Sequence, residues 1–135
     1  TYSKPLKGLV KFLDWAKNKN ISMGVCTNKQ ERLAVDLLKK LDMSKYFDYI
    51  AGSDTFSFNK PDPRHLTDVV EIIGGDLKKT IMVGDSEVDA NSAHNANLPF
   101  VLVKDGYTEK SEKEIKHDEL ISDFVGFEKI IEKYL

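Results

Sequence analysis

Two carboxylates, Asp85 and Asp89, stand four residues apart directly after a short apolar stretch. Residues 80–83 are apolar with a β-branched bias, which predicts a buried strand that ends at Gly84. Asp85 then lies at the carboxyl end of a strand, where open α/β sheets bind ligands, and Asp89 lies one turn into the next helix. Two such acids repel each other unless a cation or proton lies between them, and oxygen ligands suit Mg²⁺. The alternative is that Asp85 is an ordinary loop residue and that Asp89 is an acid favoured at a helix N-terminus by the helix dipole.

A second pair of polar residues, Thr27 and Asn28, directly follows the apolar residues 21–26 and precedes an amphipathic segment. A strand that ends in a hydroxyl and an amide just before a helix can hold an anion with backbone N–H groups. The same spacing also allows Thr27 to act only as the cap of that helix. These residues alone leave both interpretations open.

A third candidate is Lys60, which lies in the segment 59–63 together with two prolines. Proline fixes its own φ and disfavours helical geometry in the residue before it, so Lys60 is expected on a stiff loop. The alternative for a lone lysine is a solvated surface charge. Asp62 and Pro63 form a favourable helix start, and His65 in the first turn is expected to be exposed.

The elements that position these residues alternate along the chain. Apolar residues at helical spacing predict helices at roughly 5–19, 33–41, 62–73, 89–97 and 127–134, the last with Ser122 or Asp123 as its cap. Short apolar runs predict strands at roughly 21–26, 46–50, 80–83 and 100–103, with a short edge strand at 120–121. The expected buried face of the second helix consists of Leu33, Leu37, Leu38 and Leu41. This alternation predicts an α/β fold with a mainly parallel sheet. The polar residues that follow the strands then lie at one edge of that sheet.

Composition limits the classes of partner. A chain of 135 residues fits one domain with a real core. Its formal net charge of −2 argues against nucleic acid and anionic membranes as partners, and no apolar run approaches the ~20 residues of a membrane span. The single cysteine, Cys26, excludes an internal disulfide, is interpreted as a small buried hydrophobe and favours a reducing cytoplasm.

Taken together and in this order, the motifs resemble those of the haloacid dehalogenase (HAD) superfamily of phosphohydrolases. The matching segments are residues 25–28 (Val-Cys-Thr-Asn), 60–63 (Lys-Pro-Asp-Pro) and 84–89 (Gly-Asp-Ser-Glu-Val-Asp). With Gly106 and Tyr107 late in the chain, the sequence looks most like the phosphoglycolate phosphatase branch. The resemblance covers about residues 4–135 and implies a single HAD-like core domain over residues 1–135, a three-layer Rossmann-like α/β core with a mainly parallel sheet.

The resemblance also implies a role for each candidate residue. Thr27 and Asn28 would bind the transferring phosphoryl group. Lys60 would offset its charge and steady the nucleophile. Asp85 would hold Mg²⁺, and Asp89 would be a further metal partner, acting through a water or through the groups around the metal. The substrate would be a small phosphorylated metabolite.

One departure from the family pattern limits what carries over. The chain contains no Asp-x-Asp motif, which in the family supplies the nucleophilic aspartate and lies on a first strand followed by a helical cap. We therefore expect a phosphatase in the full-length parent, acting through an aspartyl-phosphate, and no activity in this chain alone. The absent strand would lie between the strands that end at Thr27 and Asp85, which should not pair directly.

Two other classes of function compete with a phosphatase core. The first is a non-catalytic HAD-like binding or interaction domain that retains the anion site without the chemistry. The second is a phosphoacceptor receiver domain, which also combines Mg²⁺, aspartate, threonine and lysine. In a receiver domain the acids come first in the chain, so the order of Thr27, Lys60 and Asp85 argues against it.

Overall fold

The structure is a computed structural model that describes residues 6–104 and 114–135. Its helices and strands are α1 (Leu9–Asn18), β1 (Gly24–Cys26), α2 (Glu31–Lys40), β2 (Tyr49–Ala51), α3 (Arg64–Ile72), β3 (Met82–Gly84), α4 (Glu87–Asn95), β4 (Phe100–Val103), β5 (Glu119–Ile121) and α5 (Phe127–Glu132). The predicted alternation of helices and strands is confirmed. Gly106 and Tyr107, used in the sequence comparison above, lie outside the described residues. No helix within the described ranges combines the length and apolar character needed to cross a bilayer.

All strand pairs are parallel, as predicted, but the strands form two separate ladders. One ladder joins β1 to β2, and the other has the order β3-β4-β5. Among the described residues, no ladder joins β1 to β3. The expectation that the strands ending near Thr27 and Asp85 do not pair directly is therefore confirmed.

Helices cover both faces of the sheet and give three layers. One cluster of buried side chains places Phe100 and Leu102 of β4 against α3 and α4. The other places the alternate β4 residues, Val101 and Val103, against α1 and α5. Because successive side chains of a strand point to opposite faces, β4 is buried on both sides, as a central parallel strand should be.

Several element boundaries differ from the sequence prediction. The first helix begins only at Leu9, because Gly8 adopts a left-handed φ of 81° that breaks helical geometry before it. Gly126, with φ 74°, precedes α5 in the same way. The predicted caps Ser122 and Asp123 are therefore wrong, and Asp123 instead accepts a hydrogen bond from the Val125 N–H.

The predicted buried face of α2 is also partly wrong. Leu33 is 50% exposed, and Ala34 is the buried residue of this helix. The physical reason is that α2 packs at its side on β2 and on the short 3-10 helix Ser44–Tyr46, so only a narrow stripe is covered. Tyr46, expected in a strand, belongs to that 3-10 helix, and its hydroxyl donates to Asp14.

Candidate functional site

A cavity of about 620 Å³ opens at the carboxyl ends of β1 and β3. Its lining includes all five residues singled out from the sequence, namely Thr27, Asn28, Lys60, Asp85 and Asp89. The loop after β1, the loop before α3 and the segment from the end of β3 into the first turn of α4 bring them there, because the strands are parallel and their carboxyl ends meet at one edge. The fold thus gathers a hydroxyl, an amide, an ammonium group and two carboxylates around one space.

Asp89 connects the lysine to the strand end that carries Asp85. Lys60 Nζ donates to Asp89 Oδ1, and the Asp85 backbone N–H donates to Asp89 Oδ2 at 3.2 Å. The side chains of Lys60 and Asp89 are only 9% and 10% exposed, so this ion pair is largely withdrawn from water. Ser86 caps α4 by accepting from the Asp89 N–H, which fixes Asp89 in the first turn of the helix.

Gly84 allows the close approach between β3 and Asp89. A Cβ atom at position 84 would lie 2.5 Å from the Asp89 carboxylate, closer than any van der Waals contact allows. The close approach of Asp89 therefore requires glycine at this position.

Lys60 is not a solvated surface charge in this fold, because its side chain is largely buried and paired with Asp89. Side-chain amides also hold the loop that carries it. Asn28 Nδ2 donates to the Lys60 carbonyl at 3.1 Å, and Asn95 Nδ2 donates to the Pro61 carbonyl at 3.3 Å. Asn59 Nδ2 also donates to the Ser53 carbonyl at 3.1 Å within the loop. Asn28 thus has a positioning role that the sequence did not reveal, in addition to the predicted contact with an anion.

Thr27 does not cap α2, although the sequence allowed that interpretation. Its Oγ1 accepts from the Lys29 N–H at 3.1 Å, two residues before the helix begins. The first amide of α2, that of Glu31, instead donates to Asp54 Oδ1 at 2.8 Å. Asp54 therefore accepts the hydrogen bond of the first α2 amide. The Thr27 hydroxyl only accepts from Lys29, so its own proton can be donated to a group in the cavity.

His65 contradicts the expectation that it is exposed. Its side chain is fully buried, its Nε2 lies 3.1 Å from the Gly52 carbonyl, and the ring stands edge-on to Phe56. Burial lowers the pKa of His65, so the ring is neutral near pH 7 and Nε2–H donates to Gly52. The histidine follows the loop that carries Lys60 and joins α3 to the end of β2. Helical periodicity missed it because the loop covers the first turn of α3, a contact that is not local in sequence.

Cys26 lines the cavity but is not a nucleophile. Its Sγ contacts the His65 carbonyl at 3.6 Å, and burial raises the pKa of the thiol to about 12. A thiol with so high a pKa carries almost no thiolate near neutral pH. Cys26 packs against the apolar cluster of Phe100 and Leu102, as expected for a small hydrophobe, but it is only partly buried.

The residues present fit part of a magnesium shell. Carboxylate oxygens are the ligands that Mg²⁺ prefers, and Asp85 and Asp89 bring them to the cavity. Both oxygens of Asp89 already accept hydrogen bonds, from Lys60 and from the Asp85 N–H. Within the described residues no group of three or more histidine, cysteine, aspartate or glutamate side chains gathers as a metal site. As the resemblance implies, Asp85 would hold the ion and Asp89 would be a further partner.

Comparisons with known proteins agree with this geometry. The sequence profile of the haloacid dehalogenase-like hydrolases matches residues 1–103. A phosphoglycolate phosphatase of Agrobacterium fabrum is 43% identical, with 97% of this chain and 58% of the relative covered. One of Caulobacter vibrioides is 38% identical, with 94% and 54% covered. The crystal structure of a predicted phosphoglycolate phosphatase from Haemophilus somnus superposes with a TM-score of 0.86 at 25% identity, covering 93% of this chain and 56% of the other. The chain thus spans about half the length of the curated relatives it matches.

Proposed function

Because this chain belongs to the haloacid dehalogenase-like hydrolase family, we propose that it forms the core of a Mg²⁺-dependent phosphatase of small phosphate monoesters. The observation that supports the proposal best is the cavity that Thr27, Lys60 and Asp85 share. Phosphoryl transfer requires chiefly positioning and charge neutralisation, and these side chains offer both. The phosphoglycolate phosphatases among the relatives make 2-phosphoglycolate the first substrate to test. We further propose that the enzyme acts in the cytoplasm, where a single free thiol stays reduced.

The chain's own residues bind and orient the phosphate in this proposal. Thr27 donates its hydroxyl to a phosphoryl oxygen, and Lys60 offsets the negative charge of the transferring group. Asp89 holds Lys60 in place, while Asn28 holds the carbonyl of the same residue. Asp85 supplies the carboxylate for Mg²⁺, which when bound neutralises further charge on the phosphoryl oxygens.

The attacking group lies outside these 135 residues in our proposal. The chain contains no Asp-x-Asp motif, and the buried thiol of Cys26 is protonated. Hydrolysis would proceed through an aspartyl-phosphate formed on an aspartate of the longer protein. The 135-residue chain alone should therefore be inactive.

An activity assay on the longer protein tests the proposal. We expect Mg²⁺-dependent hydrolysis of p-nitrophenyl phosphate and of 2-phosphoglycolate, and no turnover above buffer for the 135-residue chain. Lys60→Ala or Asp85→Asn should lower kcat by about 100-fold or more, as the loss of one electrostatic stabiliser does elsewhere. Lys45→Ala is the matched control, because Lys45 belongs to an exposed ion pair with Asp42.

Two results would contradict the proposal. Inactivity of the longer protein on a broad panel of small phosphate esters would favour a non-catalytic binding domain. Turnover by the 135-residue chain alone would mean that it contains a nucleophile which the residues described above do not reveal.

A further inference from the structure

Lys29 is a second lysine at the candidate active site, and the proposed chemistry does not use it. It lines the same cavity as Thr27 and Lys60, and it is exposed to solvent. Among the described residues, Lys29 and Lys60 are the basic side chains of this lining. They differ in their surroundings, because the Lys60 ammonium group is paired with Asp89 and largely withdrawn from water. Lys29 is therefore the cation that the cavity still offers to a ligand.

The ammonium group of Lys29 forms no ion pair within the part of the chain that the structure describes. Arg64, the cation that follows the Lys60 loop, donates to both carboxylate oxygens of Asp62 and does not line the cavity. An unpaired cation beside residues that suit a phosphoryl group attracts a negatively charged ligand. The position of Lys29 thus favours an anion over a neutral group.

The main chain of Lys29 is held on both sides. Its N–H donates to Thr27 Oγ1 at 3.1 Å, and its carbonyl accepts from the Ser53 N–H at 2.7 Å. This loop also packs closely on Gly52, where a Cβ atom would lie 2.6 Å from the Lys29 carbonyl oxygen. The lysine side chain takes part in none of these contacts. The backbone therefore fixes the start of the side chain next to Thr27 and leaves the ammonium group available to a ligand.

The substrate chosen for the first test carries a group that suits this lysine. A phosphate monoester has about two negative charges near pH 7, and 2-phosphoglycolate has an ionised carboxylate in addition. In the proposed function, Thr27, Lys60 and Asp85 all serve the phosphoryl group or its metal, so none of them is left for the carboxylate. One methylene group separates that carboxylate from the phosphate oxygen. A cation that recognises the carboxylate must therefore lie beside the phosphate-binding residues, as Lys29 does.

We propose that Lys29 forms a second anion subsite in this cavity and selects phosphate monoesters that also carry a carboxylate. Its ammonium group donates to the carboxylate, while Thr27 and Lys60 bind the phosphoryl group. The inference rests on the proposed function for the roles of Thr27 and Lys60, and it adds the residue that separates an acidic substrate from a neutral phosphate ester. Lysine suits this role because it places a compact charge with three donors on a flexible stem.

Binding of two phosphonates that cannot be hydrolysed tests the subsite in the longer protein. In 3-phosphonopropionate, a methylene group replaces the bridging oxygen of 2-phosphoglycolate. In propylphosphonate, a methyl group also replaces the carboxylate. Titration calorimetry in the presence of Mg²⁺ gives a Kd for each compound, and the ratio of the two Kd values measures the preference for the carboxylate. We expect the parent protein to bind 3-phosphonopropionate about 10-fold or more tightly, as one hydrogen bond between charged groups provides.

Three variants connect this preference to Lys29. Lys29→Met keeps the aliphatic stem and both main-chain hydrogen bonds of the residue, so the fold should tolerate it. It should bring the Kd ratio close to one. Lys29→Arg retains the charge and should keep most of the preference. Lys45→Met removes a lysine from an exposed ion pair outside the cavity lining, and it should keep the full preference.

The binding data separate the possible roles of Lys29. Loss of the preference in Lys29→Met, with its retention in Lys29→Arg and Lys45→Met, supports the subsite. A preference that persists in Lys29→Met overturns it, because another residue then recognises the carboxylate. Equal weakening of both phosphonates by Lys29→Met also overturns it, since Lys29 would then serve the phosphoryl group. A parent protein that binds both compounds equally, or neither of them, overturns it as well.

Hydrolysis is measured separately, so the subsite and the proposed function fail independently. A protein that prefers 3-phosphonopropionate through Lys29 but hydrolyses no phosphate ester contradicts the proposed function and supports the subsite. Ethyl phosphate is 2-phosphoglycolate with a methyl group in place of the carboxylate. A protein that hydrolyses both esters with equal kcat/KM, with or without Lys29→Met, supports the phosphatase and overturns the subsite.

Discussion

Removing either partner of the buried ion pair between Lys60 and Asp89 should strongly destabilise the folded chain. Removing one partner of a buried pair leaves the other charge uncompensated and costs about 3–5 kcal/mol. Lys60→Met keeps most of the aliphatic stem and removes only the charge. Because the two side chains are only 9% and 10% exposed, water can rescue little of the remaining carboxylate. We expect Lys60→Met to lower the free energy of unfolding by about 3–5 kcal/mol.

Urea unfolding, monitored by circular dichroism, measures this loss of free energy of unfolding. Two further variants serve as comparisons. Lys45→Met removes a lysine from a pair whose side chains are 59% and 90% exposed, so its cost should be below about 1 kcal/mol. In the double variant Lys60→Met/Asp89→Asn no charge is left buried, and the new side-chain amide oxygen at position 89 can still accept from the Asp85 N–H. The double variant should therefore be more stable than Lys60→Met alone.

Two results would refute the reasoning about this ion pair. A Lys60→Met variant that differs from Lys45→Met by less than about 1 kcal/mol would mean that solvent screens the pair despite its burial. The single variant Asp89→Asn completes the cycle. If the loss in the double variant equals the sum of the losses in Lys60→Met and Asp89→Asn, Lys60 and Asp89 do not interact energetically.

Three further measurements follow from the site. Asp54→Ala should cost about 1 kcal/mol in urea unfolding, because Asp54 bonds the first amide of α2, and Asp54→Asn should retain most of that stability. Burial lowers the pKa of His65, so the folded state favours the neutral ring and stability should fall as pH drops below the unfolded value of about 6.5. Melting temperatures at pH 7 and pH 5 should then differ less for His65→Gln than for the parent chain, and an unchanged difference would contradict this role. Titration calorimetry of the 135-residue chain should give a millimolar or weaker Mg²⁺ affinity, since the described residues bring only one or two carboxylates to the cavity. A micromolar affinity abolished by Asp85→Ala would contradict that expectation.

Local signals in the sequence were enough to predict the arrangement of the elements and the location of the candidate site. Apolar runs end at Cys26 and Gly84, and polar residues follow each of them directly, so the strand ends could be predicted without knowledge of the fold. The parallel arrangement then places those ends at one edge, which explains why Thr27, Lys60 and Asp85 line one cavity.

Contacts between residues distant in sequence could not be predicted in the same way. Asp54 bonds the first amide of α2 from 23 positions away, and its role depends on how β2 lies beside that helix. His65 is buried because the loop after β2 covers it, a contact that helical periodicity does not encode. Leu33 is exposed because nothing in the described structure covers that side of α2. In each case tertiary packing overrode a pattern that was correct for the isolated element.

A crystal structure of the longer protein with Mg²⁺ and tungstate, a stable mimic of the phosphoryl group, tests the central claim most directly. The proposal predicts tungstate oxygens within about 3 Å of Thr27 Oγ1 and Lys60 Nζ, with the metal bound to the Asp85 carboxylate. Tungstate bound away from these two residues, or Mg²⁺ coordinated by neither Asp85 nor a water held by Asp89, would contradict it.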